Sequence, residues 1–254
     1  MKTVFINCSP KKSFSASSYL ISLQKIFVKG EKVIEKLRNK GDYERILDTI
    51  KNADNVVFSL PLYIDCLPSH VLPFLKEAET MCKENGVKFN VYSIINNGFI
   101  EGCQSEPVLR ILKNFSERAG LTFCGGIGIG GGVMLNVTRI MFLVQIGIFL
   151  LNLVLNFIQN GLVFPVGLVL SFLKSAGIIL FFNAGVLLFI SQMGFKINKS
   201  KHFGKKYTRI LIPSFIFIIF ADIFFIVISV FKGGIFRGLF SKKQPDDITI
   251  SKEN

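Results

Sequence analysis

Three long runs without basic residues decide where the second half of this chain can live. "IMFLVQIGIFLLNLVLNFI" (Ile140–Ile158) has 19 residues, "SAGIILFFNAGVLLFISQMGF" (Ser175–Phe195) has 21, and "ILIPSFIFIIFADIFFIVISVF" (Ile210–Phe231) has 22 with one acid, Asp222. About 20 apolar residues suffice to cross the hydrocarbon core of a bilayer. The first two runs present no polar face beyond Asn, Gln and Ser. Membrane lipid is therefore the expected partner of residues 136–231, which are predicted to be an all-α transmembrane region. Between the first two runs, "GLVFPVGLVLSFL" (Gly161–Leu173) is interrupted by Pro165 and closed by Lys174. It reads as re-entrant, interfacial, or an extension of the next helix.

The charges agree with that placement. Up to Arg139 there are 18 Lys+Arg against 13 Asp+Glu; beyond it there are 12 against 4, set between the apolar runs. A basic excess in that arrangement suits anionic head groups. Nucleic acid is not an expected partner, because it asks for Lys and Arg clustered along one polar face. "KINKSKHFGKKYTR" (Lys196–Arg209) carries six basic residues and no acid, so it is predicted to be cytoplasmic. The expectation is a multi-pass protein of the cell membrane with its first half in the cytoplasm. The third run leaves the parity open. If it crosses, the basic tail 232–254, with Lys232, Arg237, Lys242 and Lys243, ends outside against the charge rule; otherwise it lies in the interface. Asp222 is a candidate for a proton path, with no partner base in its own segment.

Five scattered cysteines (Cys8, Cys66, Cys82, Cys103, Cys124) form no C-x-x-C or His/Cys cluster, so no metal site is expected. Reduced thiols in a cytosolic domain are the reading they support. "MKTVFINCSP" lacks the apolar stretch of a secretion leader, and none is expected.

The first half, residues 1–135, alternates short β-branched runs with amphipathic ones. "TVFIN", "KVIEKL", "NVVFSL", "KFNVYSI" and "LTFCGGIGI" are predicted strands. Helices are predicted over Ser17–Val28, over "DYERILDTIKNA" behind an Asp42 cap, over "HVLPFLKEAETMCKENG" ending at Gly86, and over Glu106–Gly120. Five strands alternating with four helices predict an α/β fold with a doubly wound parallel sheet. Ligands of such sheets sit beyond the carboxyl ends of the strands, where the strand order reverses. Three loops fall on that edge. "CSPKKSFSAS" offers hydroxyls and N–H groups ahead of a helix N-terminus, a phosphate cradle. "PLYIDCLPSH" offers a rigid turn and a ring at Tyr63. "NNGFIEGC" contains Asn97-Gly98, where the backbone can approach a flat ligand.

"CGGIGIGGGVML" satisfies G-x-G-x-x-G at Gly126, Gly128 and Gly131. A dinucleotide site also needs an acidic residue about 20 positions on, and Ile140–Lys174 contains none. The segment is read as the fifth strand and its exit turn, with glycines that permit close packing.

"NCSPKKSFSASSYL", "ADNVVFSLPLYIDCLPSHVLPFL" and "INNGFIEG" resemble the flavodoxin-like NAD(P)H-dependent FMN reductase and quinone oxidoreductase family over roughly residues 1–133. The resemblance implies a five-stranded flavodoxin-like domain with FMN at the strand-order reversal. Its phosphate loop corresponds to Ser9, Lys11, Ser15, Ala16 and Ser17, its isoalloxazine loop to Pro61, Leu62, Tyr63 and Ile64, and a second flavin loop to Asn97, Gly98 and Phe99. Cys8 stands where glycine is usual, Lys11 where arginine is common, and Ala16 where an asparagine often caps. The implied activity is a membrane-anchored FMN oxidoreductase, with NAD(P)H as electron donor and a quinone or similar small molecule as acceptor. The alternative is a non-enzymatic flavodoxin-like sensor or interaction module. No catalytic acid or base is singled out. Tyr63 is either a ring contact or a loop anchor, His70 a surface residue, and Cys66 and Cys103 thiols near the flavin edge. A homodimer is compatible with the family.

Overall fold

The computed structural model describes residues 1–12, 15–63, 66–161 and 164–231. Strands β1 (Lys2–Asn7), β2 (Glu31–Lys36), β3 (Asn55–Pro61), β4 (Asn90–Asn96) and β5 (Thr122–Gly130) alternate with helices α1 (Ala16–Phe27), α2 (Tyr43–Lys51), α3 (Val71–Asn85) and α4 (Glu106–Arg118). Then come α5 (Gly132–Asn160), α6 (Val166–Phe182), α7 (Ala184–Ile197), β6 (Gly204–Arg209) and α8 (Ser214–Phe231). The sheet order is β2-β1-β3-β4-β5-β6, and every pairing is parallel. The first five strands follow the flavodoxin-like order 2-1-3-4-5, with its reversal between β1 and β3.

The sheet has six strands among the described residues, not five. The sequence conceals β6 because "GKKYTR" lacks the apolar run of a buried strand: it lies at the sheet edge with Lys205, Lys206, Tyr207 and Arg209 exposed. Lysines on an edge strand also discourage further pairing. The strand is clamped by Glu106 at the start of α4, which accepts from Lys205 Nζ at 2.7 Å and from the Tyr207 hydroxyl.

The central strands are buried on both faces. Val4 and Ile6 of β1 and Phe58 and Leu60 of β3 meet Ile46 and Ile50 of α2, Phe74 of α3 and Phe115 of α4, all at most 1% exposed. The Phe58 and Phe115 rings meet edge to face at 6.2 Å. Such burial contributes roughly 1.5–3 kcal/mol per large apolar side chain. Gly86 ends α3 in the left-handed conformation, φ 63°, as its position in the sequence predicts.

The glycines of β5 answer the fingerprint question. A Cβ at Gly126 would lie 2.7 Å from the Ser93 carbonyl oxygen, and one at Gly130 would lie 2.6 Å from the Ile100 carbonyl carbon. They let α4 and the loop after β4 close onto the strand, and no nucleotide is needed to account for them.

The apolar second half is divided differently from the runs in the sequence. Ser175–Phe195 is not one straight helix. α6 ends at Phe182, Asn183 intervenes, and α7 leaves at 68°. α7 then packs on α1: Val186, Ile190, Met193 and Ile197 are buried, and a Cβ at Gly194 would lie 3.1 Å from Gln24 Nε2. The Asn198 side chain seals this contact, donating to the Phe27 carbonyl at 2.9 Å and accepting from the Lys29 N–H at 2.7 Å. Lys196–Arg209 is thus part of the sheet domain rather than a free loop. "GLVFPVGLVLSFL" resolves in part as the beginning of α6. α5 and α6 form a hairpin between β5 and α7. Met134–Gln159 is long and apolar enough to cross a membrane, and its apolar window has no buried residue. The bent α6–α7 pair passes the same test as a unit. Met1–Leu211 form one compact unit; α8 belongs to a second, which begins at Ile212. The tail 232–254 lies outside the described residues.

Candidate functional site

The cavity at the β1/β3 reversal is built from three loops and two helix starts. β1 delivers Asn7, whose side chain accepts from the Ser9 N–H at 3.1 Å and turns the chain away from the strand. Ser15 caps α1: its hydroxyl accepts from the Ser18 N–H at 3.1 Å, while Ser18 Oγ accepts from the Ser15 N–H at 3.2 Å. That box occupies one first-turn donor of the helix. The N–H groups of Ala16 and Ser17 precede any intrahelical partner and remain to bind an anion. The Asn96 side chain ties the elements together, donating to Ser17 Oγ at 3.0 Å and to the Leu60 carbonyl at 3.2 Å. The Ser59 hydroxyl adds a bond to the Ser17 carbonyl at 3.1 Å.

These residues enclose about 210 Å³, lined by Ser9, Lys11, Ser15, Ala16, Ser17, Pro61, Leu62, Tyr63, Asn96, Asn97, Gly98, Gly132 and Asn136. Ten of the twelve residues singled out in the sequence therefore come together. Phe99 does not line the cavity; it stands 50% exposed. Ile64 lies outside the described residues. Asn96, Gly132 and Asn136 were missed. Asn96 reads as the last strand residue, and Gly132 and Asn136 belong to a helix whose sequence speaks of membrane. The clue for them was the topology: β5 ends beside β4 on the same edge, so whatever follows it joins the site.

The electrostatics favour a negative ligand. Among the described lining residues Lys11 is the one charge, and α1 and α5 both point their N-termini, the positive dipole ends, at the cavity. The Asn97 side-chain N–H donors reach the Glu101 carbonyl and Ser105 Oγ at 3.1 and 3.0 Å, which leaves Asn97 Oδ1 buried without a partner. A Cβ at Gly98 would meet nothing within 4 Å, so the glycine keeps space open. Tyr63, 41% exposed, is held by a two-way backbone bridge to Cys66 at 2.8 and 3.0 Å, and partial burial raises its hydroxyl pKa. The lining thus offers helix N–H groups and a lysine, side-chain amides, and the ring of Tyr63.

The other candidates fall away from the cavity. His70 precedes α3, where its Nε2 lies 3.0 Å from the Leu37 carbonyl and its own carbonyl accepts from Tyr43 at 2.6 Å. Cys8 is fully buried and its thiol pKa is pushed far up by that burial. Cys66 packs against the core, and Cys103 is exposed beside Glu101.

No family model matches the chain, and neither does any curated protein sequence. Solved structures resemble about half of the chain. Trp repressor binding protein from Bacillus subtilis is 17% identical with a TM-score of 0.42, covering 51% of this chain and 84% of that one. An NADPH-quinone reductase from P. pentosaceus is 14% identical with a TM-score of 0.42, covering 52% and 86%. Azoreductase from Bacillus anthracis is 15% identical with a TM-score of 0.40, covering 52% and 87%. The sheet is flavodoxin-like. Its own strand order and parallel register establish that.

Proposed function

We propose that this chain is a membrane-anchored, FMN-dependent NAD(P)H oxidoreductase that passes electrons to quinones or similar acceptors. The observation that carries the reading is the cavity itself, with the α1 N-terminus, Lys11 and Asn97, whose Oδ1 has no partner, gathered at the strand-order reversal. FMN would be held by Ser9, Lys11, Ser15, Ala16 and Ser17 at its phosphate, and by Pro61, Leu62, Tyr63, Asn97 and Gly98 at its ring; Ile64 and Phe99 complete the set read from the sequence. When bound, the flavin supplies the exchange of hydride and electrons between donor and acceptor. The chain's own task is to orient it, hydrogen-bond it and keep water out. No residue near the cavity is required as an acid or base.

The α5–α6 hairpin supports the anchor. Its uncharged stretch in α5 runs about 30 Å at 1.5 Å per residue, the thickness of a hydrocarbon core. Both ends of the hairpin are fixed in one sheet domain, since β5 precedes it and α7 and β6 follow it. It therefore leaves and returns on one side of the membrane, through α5, which is long and apolar enough to cross, and α6, whose 17 residues include Lys174. We read it as crossing twice, a multi-pass anchor with the sheet domain in the cytoplasm.

The cavity volume favours a second reading. Cofactor pockets commonly measure about 300–1,000 Å³, and this one is smaller; a non-enzymatic sensor or interaction module needs no tightly bound flavin. Membranes containing the full chain separate the two. NADPH or NADH oxidation that depends on added quinone, and that falls on Lys11→Ala, supports the enzyme. Absence of such oxidation after FMN is supplied sinks it.

A further inference from the structure

Both ends of the α5–α6 hairpin are rooted on the edge of the sheet that carries the cavity. One residue, Gly131, separates the end of β5 from α5. At the other end, the Leu211 N–H just past β6 donates to the Phe182 carbonyl at 2.8 Å, and a Cβ at Gly185 of α7 would strike the Thr208 hydroxyl. The edge itself is graded. On its β2 and β1 side stand Lys11, Lys12 and Arg38, whose guanidinium donates to the Lys12 carbonyl at 3.3 Å. Toward β3 and β4 stand Tyr63, Leu72 and Phe99, all exposed and none charged. At β5, the root of α5 lines the cavity with Gly132 and Asn136. The same face of that helix continues as Ile140, Leu143, Gly147 and Leu150; at 100° per residue all six fall within about 80° of the helix. The three large side chains are exposed, and a Cβ at Gly147 would meet nothing within 4 Å. The amides of Gln145 and Asn152 lie on the other side, toward α6.

We infer that the cavity opens toward the bilayer, and that its electron acceptor is a quinone with a long apolar chain, which enters along this strip while the chain stays in the lipid. The inference rests on the enzyme and membrane readings proposed above. With both roots on one edge and one residue between β5 and α5, a hairpin in the bilayer holds that edge against the membrane surface. Asn136 precedes Ile140 by four residues, about 6 Å along the axis, so the cavity stands one turn from the start of the uncharged run. Arg139, over the Tyr19 ring at 5.3 Å, marks the head-group level between them. Exposed rings such as Tyr63 and Phe99 suit that level too, and with Leu72 they gain by leaving water. The path has two parts. Amides of Asn96, Asn97 and Asn136 line the cavity and match a quinone ring; the apolar strip beyond matches a hydrocarbon chain, for which a small soluble acceptor has no counterpart. The charged donor approaches from the basic side of β1, three strand spacings or about 14 Å from β5. NAD(P)H is oxidised to NAD(P)+, and its hydride with one proton from water converts the two quinone carbonyls to hydroxyls.

Two measurements on the full chain in liposomes test this. The first reads orientation without turnover. In a Cys66→Ser, Cys103→Ser background, Leu72→Cys and Ile26→Cys each carry an environment-sensitive fluorophore; Ile26 is exposed near the end of α1, at the opposite edge of the sheet. Lipids bearing a nitroxide on the head group should quench the label at Leu72 several-fold more than the label at Ile26. Equal quenching at the two, or none at Leu72, overturns the inference. The second measurement, with FMN supplied, compares two quinones of the same ring, one with a long polyprenyl chain and one with a methyl group in its place. Leu143→Gln should raise KM for the long-chain quinone several-fold and leave KM for the short one unchanged. Reduction of the short quinone alone, or a Leu143→Gln chain whose two KM values move together or not at all, overturns the inference. If neither quinone is reduced, the enzyme reading fails and takes this inference with it. Release of the parent chain from membranes by alkaline carbonate sinks the membrane reading, a distinguishable failure.

Discussion

At the residue scale, the structure separates side chains that serve the cavity from those that serve the fold. Tyr63 lines the cavity, while His70 is committed to the Leu37 carbonyl. Tyr63→Ala is therefore expected to weaken FMN retention several-fold, since contact with a ring system is worth about 1 kcal/mol, and His70→Ala is expected to leave it unchanged. Fluorimetric titration of apoprotein with FMN compares them; equal affinity in both variants removes Tyr63 from the site. Glu106 belongs to the fold. Desolvation works against its charge, but hydrogen bonds from Lys205, Tyr207 and Arg110 prevail and hold its pKa at about 2. The same contact, after burial, pushes Tyr207 up to about 12. A carboxyl depressed in the folded state stabilises it above the unfolded value near 4.5, and the contribution is lost as pH falls toward 2. The protection factors of the β6 amides, taken relative to the intrinsic exchange rate at each pH, should fall over that window in the parent chain. In Glu106→Gln they should already be low at pH 7; β6 protection identical in the two would refute the clamp.

At the element scale, the sequence was most legible where burial imposes a pattern. β1, β3 and β4 are short β-branched runs buried on both faces, and their loops therefore fell on the predicted edge. Asn97-Gly98 and Pro61-Leu62-Tyr63 reached the cavity because each directly follows such a strand. What was not legible came from elements whose composition answers to something other than the core. β6 is an edge strand built from lysines, and α7 borrows the apolarity of its surroundings, so Ser175–Phe195 reads as a span although its second half packs on α1. Asn136 is masked in the same way, at the root of an apolar helix. The glycines of β5 make a further prediction. Gly126→Val must displace the Ser93 carbonyl or Leu109, and overpacking of this kind costs typically about 1–3 kcal/mol or more. Thermal unfolding should fall by several degrees; an unchanged midpoint would mean that β5 has room it does not show.

At the scale of the whole molecule, the sheet domain is interrupted by the α5–α6 hairpin. The chain leaves from β5 on the cavity's edge, runs through α5 and α6, and returns as α7 and β6 to complete the sheet. Single cysteines at Ser200 and Asn160, with native thiols replaced, report the consequence through an impermeant reagent on intact cells. On the proposed topology Asn160→Cys should label and Ser200→Cys should not, because Ser200 leads into β6 and lies on the same side as the sheet. Labelling at Ser200 alone would place the sheet domain outside. The central claim is that the β1/β3 cavity holds one FMN, and the flavin released by heating protein purified in mild detergent tests it most directly. One FMN per chain, lowered by Lys11→Ala, is the predicted result. FAD in its place, or no flavin even after incubation with excess FMN, would contradict it.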